Sequence, residues 1–295
     1  MMTHPLRAAR WTRRHLRHIA AIFWQGRNPA ARVYESIGSD FFLAPAPGWL
    51  NLGLWNGEGN EDEADTACRR LVQTAAAPLA EAGVILDVGN GLGTQDLVIA
   101  EAVHPRRLIA VNITEWQLSA GRARLREAAA AGVAGDATRL PIADQSIDGV
   151  ISVEAAFHFR SRRAFFDECS RVLKPGGVLS MSDIATQRLP LGPRELLAGL
   201  TQLRVFGLRP SAAMTADQIA GAARAAGFTA VDISVCGDRV IAPALQLAGR
   251  RLRAASAEPA APAGQRTVAR LLLRQVELLW RRQIIEYILL RAARP

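Results

Sequence analysis

Apolar positions along the chain follow two rhythms. Between residues 61 and 190, short apolar runs alternate with stretches whose apolar residues recur at three and four. The runs at 84–88, 108–112, 149–153 and 178–183 predict strands. The stretches at 61–77, 95–103, 115–131 and 164–173 predict helices, the first with acids in its opening turn, as a helix dipole favours. Strands and helices alternating at this spacing predict an α/β fold with a doubly wound parallel sheet.

Outside that region the rhythm changes. Residues 6–24 predict a helix, with Leu16, Ile19, Ala20 and Phe23 on one face and Arg7, Arg10, Arg14 and Arg17 nearly opposite. Residues 26–60 are punctuated by Gly, Pro and Asn and read as loops, yet hold Tyr34, Phe41, Phe42, Trp49 and Trp55. Aromatics in such a stretch suit a ligand pocket or plain packing equally. After 190, helices are expected at 193–208, 215–226, 241–256 and 265–284, with strands at 230–236 and 286–292. The Ala/Pro-rich segment 254–264 reads as a surface loop. The chain thus divides into an N-terminal helix and aromatic loop region (1–60), a core (61–190), and helical insertions with closing strands (191–295).

Composition changes this picture in one respect. The 295 residues carry a net charge of +9, but seven arginines and no acid fall within 1–32, and ten arginines against three acids within 246–295. The body between is acidic, at −5. A nucleic-acid footprint spread over the protein is therefore not expected. The basic N-terminal helix is instead a candidate for a lid or for contact with an anionic membrane surface. Three scattered cysteines, Cys68, Cys169 and Cys236, form neither a zinc spacing nor a disulfide framework. No apolar run of about 18 residues occurs and no signal-peptide pattern is evident, so a cytoplasmic protein is expected.

The chemistry concentrates at strand ends. Asp87 closes the first strand before Gly89-Asn90-Gly91-Leu92-Gly93, glycines that let a backbone approach a ligand closely. Asn112 ends the next strand, where a ribose-binding group is expected, and Asp136-Ala137 ends the third unit, where a carboxylate can accept from an adenine amino group.

Residues 84–184 resemble the core of the class I S-adenosylmethionine-dependent methyltransferases. The similarity rests on four motifs in order: ILDVGNGLG (85–93), AVNIT (110–114) with Gln117, GDATRLPIADQSIDGVISVEAAFHF (135–159), and RVLKPGGVLSMSDI (171–184). It implies a mainly parallel, seven-stranded Rossmann-like sheet with helical cap insertions, and S-adenosylmethionine as cofactor. It places Asp87, Gly89, Gly91, Gly93, Gln95, Asn112, Ile113, Gln117, Asp136 and Ala137 at the cofactor. AVNIT, EAAFHF and the upstream LNLGLW are similar to natural-product sugar and polyketide O-methyltransferases, with sterol and terpenoid C-methyltransferases as a neighbouring branch. Asn112 departs from the acid common in the superfamily, and Asn90 from the usual Cys or Ser.

The resemblance implies His158 as a general base for a hydroxyl acceptor, with Asp183 orienting it or stabilising its protonated form. Glu154 is the alternative, as a base or as the stabiliser of a cation if an isoprenoid alkene is methylated on carbon. Tyr34, Trp55 and Phe159 are candidates for contact with a hydrophobic small-molecule acceptor, and homo-oligomerisation is open. A nucleic-acid methyltransferase or a non-catalytic binding protein fits less well. No base-flipping motif is present, and the cofactor residues are intact.

Overall fold

A computed structural model describes residues 44–80, 82–254 and 263–295, with the side chains of 263–266 left aside. The N-terminal helix expected at 6–24, with Tyr34, Phe41 and Phe42, lies outside the described residues.

Seven strands form one sheet in the order β3-β2-β1-β4-β5-β7-β6. They are β1 (Val84–Val88), β2 (Arg107–Asn112), β3 (Ala130–Ala134), β4 (Ile147–Val153), β5 (Leu173–Thr186), β6 (Thr229–Val235) and β7 (Ile285–Ala293). The first five pair in parallel, while β7 runs antiparallel to both β5 and β6. The chain winds outward in one direction from β1 to β3, then restarts at β4 on the other side of β1. That reversal opens a crevice beyond the carboxyl ends of β1 and β4, where α/β sheets bind ligands.

Successive strand residues face opposite sides, and each side has its own core. Leu86, Val88, Ile109, Val111 and Val150 pack with α5 (Arg162–Val172) and α7 (Ala216–Ala225), through Phe165, Phe166, Cys169 and Ile219. Ile85, Leu108, Ile151 and Val153 pack with α1 (Ala64–Ala76), α2 (Thr94–Val103) and α8 (Gly237–Arg253). Trp55 is buried in this second core, and its indole donates to the Leu52 carbonyl (2.8 Å). Trp55, a candidate for contact with the acceptor, is instead packed in this core and is not among the residues that line the cavity.

One other expectation changes. The single helix over 115–131 is two short ones, α3 (Glu115–Ala120) and α4 (Arg122–Glu127), followed by β3. Gly121 marks the break. A Cβ there would sit 2.6 Å from the Leu92 carbonyl, so this glycine lets the helix pair close onto the Gly89–Gly93 loop. The segment after 190 supplies the helical insertions expected there. Its helix α8 packs on the sheet, whereas α6 (Pro193–Val205) and α9 (Ala263–Arg281) meet through Gln202, whose side chain donates to Gln275 (3.0 Å).

Candidate active site

The crevice is a cavity of about 340 Å³, within the usual range for a small-molecule site. Its walls include Gly89, Gly91, Gln95, Asn112, Ile113, Gln117, Asp136 and Ala137, eight of the ten residues expected at the cofactor. The remaining two stand just behind. Asp87 is fully buried and accepts two bonds from the Gln95 amide (2.8 and 2.9 Å), while Gly93 caps α2. Gly89 takes φ +86°, and a Cβ there would overlap the Ala155 methyl at the end of β4. Only glycine fits at that point, and its amide donates to the Val111 carbonyl (2.8 Å).

Behind the loop runs a buried polar chain. Asn112 donates to Asn90 (3.1 Å) and Gln117 (3.0 Å), and its own oxygen accepts from the Thr114 amide (2.9 Å). Asn90 donates in turn to Asp96 (2.9 Å). Asp96 and Asp87 are neighbours in the core. Burial raises both carboxyls well above the usual range, and the charge of Asp96 raises Asp87 further. Asn112 and Asn90, the two departures from the common motif, are thus two links of one network. A carboxylate at 112 would face the oxygens that Asn112 now satisfies.

The catalytic candidates separate. Glu154 and His158 both line the cavity, with Phe159 beside them. Asp183 does not. It is fully buried, its carboxylate is gripped by Arg162 (2.6 and 3.2 Å), and it accepts from the Ile184 amide (2.9 Å). The expected His158–Asp183 partnership is therefore corrected, since the guanidinium of α5 has taken the carboxylate. His158 is held as a neutral imidazole. Burial, and then the Arg162 charge, bring it down to about 3.

Glu154 moves the other way. Burial brings it up to about 7 against the donors that hold it, and the charge of Asp183 adds to the rise. Its Oε1 accepts from the Leu52 amide and from the Tyr287 hydroxyl, both at 2.8 Å. Its backbone stands at φ +49°, a left-handed conformation that a non-glycine residue rarely adopts, and its amide donates to Ser182. Sequence reading missed Tyr287, Arg162 and the cavity residues Arg160 and Arg209. Of the segment beyond 190, Arg209 alone among the described residues reaches the cavity. Tyr287 lies 133 residues from Glu154 and outside the four motifs, in a C-terminal stretch, IIEYILLRAARP, whose resemblance to the family is weak; the antiparallel pairing of β7 with β5 brings it there.

A glycine loop at the switch point, polar side chains at the ends of β2 and β3, and a carboxyl beside the cavity define a nucleoside-binding enzyme crevice. Residues 86–181 match the model of the methyltransferase domain. The chain is 30% identical over 254 residues to erythromycin 3''-O-methyltransferase of Saccharopolyspora erythraea, covering 78% of this chain and 79% of that protein. Two solved structures share the fold. The [4+2]-cyclase SpnF matches with TM-score 0.66 and 20% identity, over 95% of this chain and 96% of that one. Geranyl diphosphate C-methyltransferase from Streptomyces coelicolor A3(2) matches with TM-score 0.68 and 15% identity, over 90% and 96%. The chain belongs to the small-molecule class I S-adenosylmethionine-dependent methyltransferases. Its cofactor is S-adenosylmethionine.

Proposed function

We propose that the protein methylates a hydroxyl of a hydrophobic natural product or lipid-like small molecule, with Glu154 as the proton acceptor. The site fits the cofactor. The glycine loop at Gly89 and Gly91, the Asn112 amide and the Asp136 carboxylate line one cavity. In this reading the loop amides hold the amino-acid end, Asn112 and Gln117 the ribose, and Ile113, Asp136 and Ala137 the adenine. When bound, S-adenosylmethionine supplies an electrophilic methyl group and leaves as the thioether.

The protein's task is to align the acceptor oxygen and remove its proton. The observation that carries the reading is Glu154: a cavity carboxyl on a strained turn, poised near neutrality. A base that changes state near the working pH has both the right form and the driving force. His158, held neutral, donates or accepts a hydrogen bond that orients the acceptor hydroxyl. Its low basicity argues against the role of proton store. Leu50, Val153 and Phe159 give the cavity its apolar wall, which suits a greasy acceptor.

The second reading is methylation of an isoprenoid alkene. There the same carboxylate stabilises the cation and removes its proton. The fold neighbour named for geranyl diphosphate C-methylation favours keeping this reading in the test. Incubation with methyl-labelled S-adenosylmethionine and a panel comprising macrolide sugars, aromatic polyketide alcohols and geranyl diphosphate tests both readings. Label on oxygen of a hydroxylated acceptor is expected. Label on carbon selects the second reading, and no label on any acceptor contradicts both. No helix of the described residues is long and apolar enough to cross a membrane.

A further inference from the structure

The Glu154 carboxyl is held on one side only. The Leu52 amide arrives from the loop before α1, and the Tyr287 hydroxyl arrives from β7. Both donate to Oε1, while among the described residues Oε2 accepts no hydrogen bond. Tyr287 cannot swing away. It is fully buried, pairs across from Ile184 in the β5–β7 ladder, and its carbonyl accepts from Cys236 (2.9 Å). Glu154 is equally fixed by its left-handed backbone and by the Ser182 contacts to its amide.

We propose that Tyr287 is the positioning residue of this site: with the Leu52 amide it clamps one oxygen of Glu154 and so presents the other to the cavity as proton acceptor. The catalytic consequence rests on the proposed methyl transfer, but the clamp itself does not.

The groups around the carboxyl support the assignment. Asp183 on β5 is the negative neighbour, already gripped by Arg162. Cys68 on α1 and Cys236 at the end of β6 are thiols that burial pushes up, so both are neutral near pH 7. His158, in the turn that follows, is neutral as well. Burial and Asp183 therefore drive Glu154 toward its neutral acid, and the two donors oppose them. Without the hydroxyl of Tyr287, one opposing donor is lost and the carboxyl holds its proton to higher pH.

The chain contains two tyrosines, Tyr34 and Tyr287. Tyr34→Phe protein grown with 3-fluorotyrosine thus carries fluorine only at 287, and its ¹⁹F resonance reads the clamp without acceptor or turnover. Burial holds the Tyr287 hydroxyl well above its ordinary value, so ring ionisation does not intrude. The resonance is expected to titrate with a single midpoint near neutral pH, and Glu154→Gln is expected to abolish that titration. A resonance flat between about pH 5 and 9, or a titration that survives Glu154→Gln, overturns the proposal.

The second arm is Tyr287→Phe, assayed with whichever acceptor the labelled-methyl panel identifies. It is expected to bind S-adenosylmethionine as the parent does, to turn over roughly tenfold more slowly, and to shift the acid limb of its pH profile upward. A slower enzyme with an unmoved limb would mark Tyr287 as merely structural and overturn the positioning role. If no acceptor is methylated, the functional reading fails by itself and the fluorine titration still decides the clamp.

Discussion

At the scale of residues, the site assigns different work to two side chains that share one cavity wall. Glu154→Gln keeps the shape and both donors but cannot take a proton. It is expected to lower turnover by about 10²-fold or more. His158→Ala removes an orienting group and is expected to cost about tenfold. Calorimetry should show both variants binding S-adenosylmethionine normally. If His158→Ala is the crippled variant and Glu154→Gln is not, the roles are reversed. The acid limb follows from the same carboxyl: activity should rise as pH passes upward through about 7, where Glu154 loses its proton. Asn112 invites a different test. Asn112→Asp restores the acid common among relatives, yet sets a carboxylate against the oxygens of Asn90, Gln117 and Gly91. The apo protein should lose about 1–3 kcal/mol in denaturant unfolding, since buried acceptors are left unsatisfied. An unchanged midpoint would show that the network rearranges freely.

At the scale of elements, much of the architecture was legible because its signals are local. The glycine loop, the strand-ending Asp87 and Asn112, and the β5 motif each declare themselves within a few residues. β3 did not. Ala130–Ala134 is Ala-Ala-Gly-Val-Ala, with no branched alternation, and it continues a helical pattern without a visible stop. Burial explains why the pattern is weak, since no residue of this edge strand is buried: Ala131, Gly132 and Ala134 are exposed and Ala130 and Val133 partly so. Trp55 misled for the opposite reason. An aromatic in a loop has the same composition whether it faces a ligand or a core. Asp183 was expected to end its strand, but β5 runs on to Thr186; its partner Arg162 opens the preceding helix, and no spacing rule links the two. The helix break at Gly121 yields an element-level prediction. Gly121→Ala pushes a methyl against Leu92 in the cofactor loop. Its affinity for S-adenosylmethionine should fall about tenfold, the order expected when a tightly packed contact must shift. Parent-like binding would show that the loop does not lean on this turn.

At the scale of the whole molecule, the sheet carries two packed faces and, among the described residues near its binding edge, Asp87, Asp96 and Glu154 are buried carboxyls that no cation grips, unlike Asp183. Each is raised by burial, so each favours folding in its protonated form. The sign follows from linkage. As pH climbs through the ordinary carboxyl value, the unfolded chain releases protons that the folded protein must retain, and stability falls until the folded value is passed. His158, depressed by burial, contributes the opposite slope, so the parent's own profile blends the two. The difference between variants isolates one group. Glu154→Gln should gain on the parent by about 2–3 kcal/mol as pH rises from about 4.5 to about 7, then hold level. A gap that is constant with pH would mean that Glu154 titrates normally. The +9 charge also reads differently at this scale. The acidic body holds the cavity, and the C-terminal arginines lie partly on α8 and α9, where Arg251 pairs with Glu61 and Arg281 with Glu277.

The most direct test is methyl transfer from labelled S-adenosylmethionine to the acceptor panel, run with the parent and Glu154→Gln at matched cofactor saturation. Label on an acceptor hydroxyl with the parent, reduced about 10²-fold or more in the variant, is the expected result. Equal labelling by the two proteins would contradict Glu154 as the proton acceptor, and no labelling by the parent would contradict the proposed reaction.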